Sequence, residues 1–198
     1  MQPTQTLPAN YALAWNLDLK HNTRLNIILQ AVGLAWMALA GWLLTSFVMW
    51  LRPDFDEILR KGVSINLLGM LLILVVMVVS ILLHELVHGL FFWVFAGHLP
   101  EFGLGPGYAF AAMPDWFYPK YQYLVVALAP LAILTCLGLL ASAFAPLAWL
   151  GWFVIGMIIN AGGAIGDMYV GWLITRESNL IWVKDTGDGF QVYRRQAE

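Results

Sequence analysis

Charge is scarce in this chain. Of its 198 residues, 11% are Asp, Glu, Lys or Arg, against about 25% in an average globular domain. So little charge excludes an ordinary water-soluble domain. Ten basic residues stand against twelve acidic ones, for a formal net charge of −2. No basic excess therefore points to nucleic acid as a partner. Cysteine is almost missing. Cys136 stands alone, which excludes an intrachain disulfide and a thiolate metal cluster, and its apolar surroundings predict a packed thiol. Internal repeats and low-complexity tracts are absent. The first 24 residues are polar and mixed, unlike a cleaved signal peptide.

What remains is grease. The chain is 61% hydrophobic, with a mean hydropathy of +0.73. A helix needs about 20 apolar residues to cross a bilayer. Four stretches qualify, at about 25–51, 63–96, 121–144 and 147–174. The second exceeds one crossing and must tilt or protrude. The expected fold is a single all-α integral membrane domain, 1–198, with four transmembrane helices and polar termini at 1–24 and 175–198. A segment rich in glycine and proline, Gly97–Lys120, separates the second and third spans. No helix survives that punctuation. Its apolar character suits a piece that re-enters the membrane surface, with "GYAFAAM" extended. Alternation around Tyr11, Leu13, Trp15, Leu17 and Leu19 predicts a short strand. Two β-rich runs flank Thr186-Gly187-Asp188-Gly189, a hairpin signal. The two ends would thus form a small β-like cap.

Basic residues orient the spans. Lys20, Arg24, Lys120, Arg176, Lys184, Arg194 and Arg195 fall on the side of both termini; Arg52, Arg60 and Lys61 fall on the other, offset by Asp54, Asp56 and Glu57. Seven against three places both ends in the cytoplasm. The expected location is multi-pass in a cytoplasmic membrane, bacterial in type, with the lipid bilayer as first partner.

Into the second span is set His84-Glu85-Leu86-Val87-His88. Ionisable groups at membrane depth are costly and usually functional. Residues four apart share a helix face, so His84 and His88 can grip one zinc ion. Glu85 points about 100° away and can reach a metal-bound water without ligating. This is the H-E-x-x-H arrangement of zinc metallopeptidases, in which the glutamate takes the water's proton. With four histidines and five glutamates, a shuffled chain would contain it about 0.2% of the time. The bland alternative is a polar packing cluster, which three ionisable groups in hydrocarbon make expensive.

A catalytic zinc needs a third protein ligand and an open position. The metzincin continuation is absent, since Phe91 and Val94 stand where glycine and histidine would. His98 lies beyond Gly97, and Glu101 and Glu177 read as exposed interfacial residues. Asp167 is the strongest candidate. It is the only acid in the fourth span, about as far after Leu147 as the histidines are after Val63. Parallel second and fourth spans would bring both to one depth. Gly156, Asn160, Gly163 and Asp167 follow at three- and four-residue steps, a face of low bulk that permits close helix approach. Asn160 can hydrogen-bond a ligand, a substrate carbonyl or a developing oxyanion. The alternative is a glycine packing seam with one acid paired elsewhere. Shared zinc ligation requires Asp167 oxygens within about 5 Å of the imidazole nitrogens. Trp50, Trp116 and Trp149 read as interfacial anchors, and Pro130 as a kink.

These residues resemble a known family, the small four-span membrane proteins called putative zincin peptidases. The likeness rests on "LPANYALAWNLDLKHN", "HELVHG" late in the second span, "LAP" in the third, and Asn160 to Asp167 in the fourth. The layout is similar to that of site-2 proteases, whose histidine pair and later-helix aspartate hold zinc within the membrane. The resemblance implies His84, His88 and Asp167 as metal ligands and Glu85 as catalytic acid/base. The chain departs from site-2 proteases in that Gly166 precedes Asp167 and Met168 follows it; no substrate-regulating domain such as PDZ is evident.

The leading expectation is a membrane-embedded zinc protease acting on a peptide or membrane-protein substrate, with Glu85 and Asn160 as catalytic residues. "GYAFAAM" would offer the substrate a strand edge. A metal-dependent scaffold or metal-handling protein is the non-enzymatic alternative, favoured if His98 closes the metal site. A zinc hydrolase of non-peptide bonds is the third.

Overall fold

The structure, a computed structural model, describes residues 1–18, 21–61, 66–105, 108–187 and 189–196. Lys20, the predicted second-span start at Val63, Gly107 and Asp188 fall outside these residues. Strand β1 (Tyr11–Asp18) leads into helix α1 (Thr23–Leu51). A 3-10 turn, Pro53–Phe55, and short helix α2 (Asp56–Lys61) precede α3 (Leu67–Ala96). Strands β2 (Glu101–Gly105), β3 (Tyr108–Ala112) and β4 (Phe117–Pro119) follow, then α4 (Lys120–Phe144), α5 (Leu147–Gly163), α6 (Ile165–Thr175), β5 (Ile181–Asp185) and β6 (Gly189–Arg195).

Helices α1, α3 and α4 are long and apolar enough to cross a membrane, and a bent pair, α5 with α6, makes a fourth if counted as one span. Without water to solvate the backbone, an apolar segment satisfies its own amides by coiling. Its apolar side chains then face outward, as Leu67, Leu86 and Val94 do on α3. Cys136 is also exposed on α4, not packed as its neighbours suggested: a membrane helix turns apolar residues to lipid as readily as to a core.

The expected single helix over 147–174 is two. Gly162, Gly163 and Gly166 flank the break, and each glycine costs a helix about 1 kcal/mol against alanine. Ala164 leaves the helical region (φ −73°, ψ 1°), its N–H still donating to the Asn160 carbonyl. The stripe from Gly156 to Asp167 is therefore not one continuous helix face.

The all-α expectation needs correction as well. The chain is mostly helical but carries two antiparallel sheets, β1-β6-β5-β4 and β2-β3. The Gly97–Lys120 segment holds three strands where one extended piece was expected. Glycines hid β2, and one of them has a packing reason: Gly103 pairs across the ladder with Phe110, whose ring covers the space a side chain would need. Strand β4 ends at Pro119 on the sheet edge, where a missing N–H is tolerated. The terminal cap is present as β1, β5 and β6. Its hairpin turns at Gly187, whose positive φ of 77° suits glycine, with Thr186 N–H donating to the Gly189 carbonyl at 3.0 Å.

The chain divides into two compact units. The first comprises Met1–Gln30, Glu85–Ala129 and Gly166–Glu198; the second comprises Ala31–His84 and Pro130–Ile165. The first has a core of Phe92, Tyr118, Val126, Ile174, Ile181, Val183 and Val192. Alternation in β6 turns Phe190 and Val192 inward. Lys120, though buried, donates to the Thr175 and Glu177 carbonyls at 3.1 and 2.6 Å, meeting the negative end of α6. The second unit packs around Val48, Phe55, Leu150, Val154 and Met157. There Gly138 admits the Met157 side chain. Arg52 grips Asp54 with two nitrogens and donates to the Ser142 and Ala145 carbonyls.

Glu177 ties the cap together. Its carboxylate accepts from Trp15 Nε1 on β1 at 2.9 Å and from Arg194 Nε and Nη2 at 2.8 and 2.6 Å. The Arg194 hydrogen bonds, with help from Trp15, hold its carboxyl below the usual glutamate range. An acid with a lowered folded pKa stabilises the fold above its unfolded value; that contribution is lost as pH falls through the folded value. Glu177→Gln should therefore cost about 1 kcal/mol at neutral pH and flatten the loss of stability on acidification below about pH 4.3. Thermal melts of wild type and variant in detergent from pH 7 to 3 check this. Parallel curves would remove Glu177 from the account.

Candidate metal centre

His84, Glu85 and His88 occupy one turn of α3. Their donor atoms all lie within 4.8 Å of one another, the one such group of three or more found among the described residues. Both histidines are buried and Glu85 is half-buried. The glycine after His88 also has a packing reason: the Phe102 ring lies where a Gly89 side chain would be.

Each imidazole is held through one nitrogen. His88 Nδ1 lies 2.9 Å from the Val126 carbonyl oxygen. A carbonyl only accepts, so Nδ1 carries the proton and donates. His84 Nδ1 lies 2.9 Å from Asn160 Oδ1. The Asn160 amide is itself oriented, because Nδ2 donates to the Pro130 carbonyl at 3.3 Å. Its oxygen thus faces His84, and His84 Nδ1 donates. That makes Nε2 the nitrogen each ring could offer a metal; on His88 it faces Asp167. Asn160 is buried with both ends of its amide engaged. Of the roles the sequence allowed it, the observed contact is the hydrogen bond to His84.

Asp167 lies in the first turn of α6, where the helix dipole favours an acid. The break at Ala164 is what makes this a helix start. Its Oδ2 stands 3.5 Å from His88 Nε2. Zinc–ligand distances of about 2.0–2.2 Å and tetrahedral angles put neighbouring donors roughly 3.4 Å apart. The His88–Asp167 pair is thus spaced as two ligands of a tetrahedral zinc would be, while the three donors found within 4.8 Å of one another are those of His84, Glu85 and His88. The other sequence candidates lie elsewhere. His98 is exposed, stacks on Trp116 with ring centroids 4.8 Å apart, and has Nδ1 3.0 Å from the Ala96 carbonyl. Glu101 is exposed on β2, and Glu177 is committed to Trp15 and Arg194.

A cavity of about 180 Å³ is lined by Glu85, His88 and Asp167, by β3 residues Ala109, Phe110 and Ala111, and by Tyr123 and Asp185. Sequence reasoning missed the last two. Asp185 Oδ2 accepts from the Tyr123 hydroxyl at 2.7 Å, and Oδ1 from the Gly187 N–H at 2.8 Å. Burial pushes the Asp185 carboxyl above its ordinary range, against both hydrogen bonds, which favour the ionised form. A signal was available: alternation along β5 sets Ile181, Val183 and Asp185 on one face, and the first two are fully buried.

Residues 77–181, more than half of the chain, match the family described as Putative zincin peptidase. No curated protein and no solved structure matches the chain. The matched stretch contains His84, Glu85, His88, Asn160 and Asp167, and by it the chain belongs to the Putative zincin peptidase family.

Proposed function

We propose that this protein is a membrane-embedded zinc metallopeptidase, with both termini on the cytoplasmic side. The observation that carries the reading is the Asp167 carboxylate 3.5 Å from His88 Nε2, beside a cavity that Glu85 also lines. His84, His88 and Asp167 would hold the metal. Bound zinc would supply Lewis acidity, lowering the pKa of a water and polarising a peptide carbonyl. Glu85 takes the proton from the attacking water and returns it to the departing amine. The His88–Val126 and His84–Asn160 hydrogen bonds keep the two rings turned for ligation. A substrate peptide must be extended to present its carbonyl. Strand β3 has β2 on one side, and a peptide added to its other edge would run along the cavity wall.

Two substitutions separate metal binding from catalysis. Glu85→Gln should retain zinc while losing about 10²–10⁴-fold in hydrolysis, measured on purified protein with a panel of membrane-tethered peptide substrates. Normal cleavage by this variant would sink the mechanism, and a wild type that holds zinc yet cleaves nothing would leave a metal-dependent scaffold. Asp167→Ala should weaken zinc binding by more than the roughly 10–100-fold that loss of an outer-sphere partner costs, measured by chelator competition. Unchanged affinity would reassign the third ligand.

A further inference from the structure

Helix α4 contains Pro130 in its interior. In a helix the carbonyl of residue i accepts from the N–H of residue i+4. For Val126 that residue is Pro130, which has no N–H. The Val126 oxygen is thus left without its helical donor, on a residue that is itself buried. The same oxygen is the one that faces His88 Nδ1 at 2.9 Å.

We propose that Pro130 is a positioning residue: by vacating the Val126 carbonyl, it supplies the acceptor that holds the His88 ring in its orientation through Nδ1. The inference rests on the zinc reading for its purpose, though its geometry does not. With any other residue at 130, a backbone N–H would compete for the Val126 oxygen. Sharing that oxygen's two lone pairs would weaken the His88 bond, and the ring would turn more easily. The restraint on His84 is separate, since it runs through Asn160. A proline that looks like a helix kink therefore has a chemical role at a distance of one hydrogen bond from a ligand.

Pro130→Ala tests this in the full-length protein in detergent. Alanine restores the N–H and is the best helix former, so the metal-free variant should melt no lower than wild type. Imidazole ¹⁵N spectra of the metal-free protein should show a hydrogen-bonded His88 Nδ1 in wild type and a weakened Nδ1 hydrogen bond in Pro130→Ala. His84 should be unmoved. Zinc affinity should fall roughly 10–100-fold. Asn160→Leu should give the converse, moving His84 and sparing His88. An unchanged His88 spectrum in Pro130→Ala overturns the proposal, as does a lowered melting temperature with both histidines disturbed together, which would make the proline merely structural. If wild type binds no zinc while the His88 spectrum still responds, the metal reading fails and the role of Pro130 stands.

Discussion

A buried imidazole has two nitrogens, and burial takes from each the partner that solvent would supply. Leaving one hydrogen-bonding group unmet inside a protein costs about 1–3 kcal/mol, and more where no water can enter. A proline in a helix interior costs about 3 kcal/mol, partly for the same reason. In this chain the two defects answer each other. The carbonyl that Pro130 strands, at Val126, is the acceptor that His88 Nδ1 requires. His84 finds its acceptor on Asn160, whose amide is turned by the Pro130 carbonyl. With the inner nitrogens satisfied, Nε2 is the nitrogen each ring could offer a metal, and on His88 it faces Asp167.

Glycine does the complementary work of bringing backbone close and ending helices. Gly156 sits against Ser80 and Val76, with a built Cβ 3.4 Å from the serine oxygen, so α5 lies near the histidine helix where Asn160 follows one turn later. Gly162 and Gly163 then weaken the helix. The break at Ala164 gives Asp167 the first turn of a new helix, where its charge is favoured. A fourth span without the break would have presented the same aspartate in mid-helix, with no dipole to support it.

What could be read in advance follows from the range of each interaction. The apolar runs are local and long, and they located α1, α3 and α4 within a few residues. The His-Glu-x-x-His spacing is likewise local, and it named the group whose donors converge. Asp167 was reached by elimination and by depth, since one acid in an apolar span has few tolerable places. The strands of the Gly97–Lys120 segment were hidden because their reasons are non-local: Gly103 makes sense only once Phe110 lies over it. Asp185 was hidden by its neighbours, because it borders Thr186 to Gly189, which reads first as a turn. Pro130 was read as a kink because the consequence of a missing N–H appears on a different helix. Composition says that a hydrogen bond is lost; only the fold says who takes the carbonyl.

Charge explains why two carboxylates could be tolerated at such a site and why a third needs help. A divalent cation held by two neutral imidazoles and the Asp167 carboxylate would carry one net positive charge. The Glu85 carboxylate would balance it, leaving a neutral cluster that costs little to place in a low-dielectric setting. Asp185 lines the same cavity and would be one negative charge too many. Its surroundings act on that excess: burial raises its carboxyl above the ordinary range, while Tyr123 and Gly187 supply hydrogen bonds to both oxygens. The outcome is an acid that is hydrogen-bonded whichever form it takes, set on a strand and not on a membrane helix. That placement puts the third carboxylate on the cavity wall with both of its oxygens hydrogen-bonded.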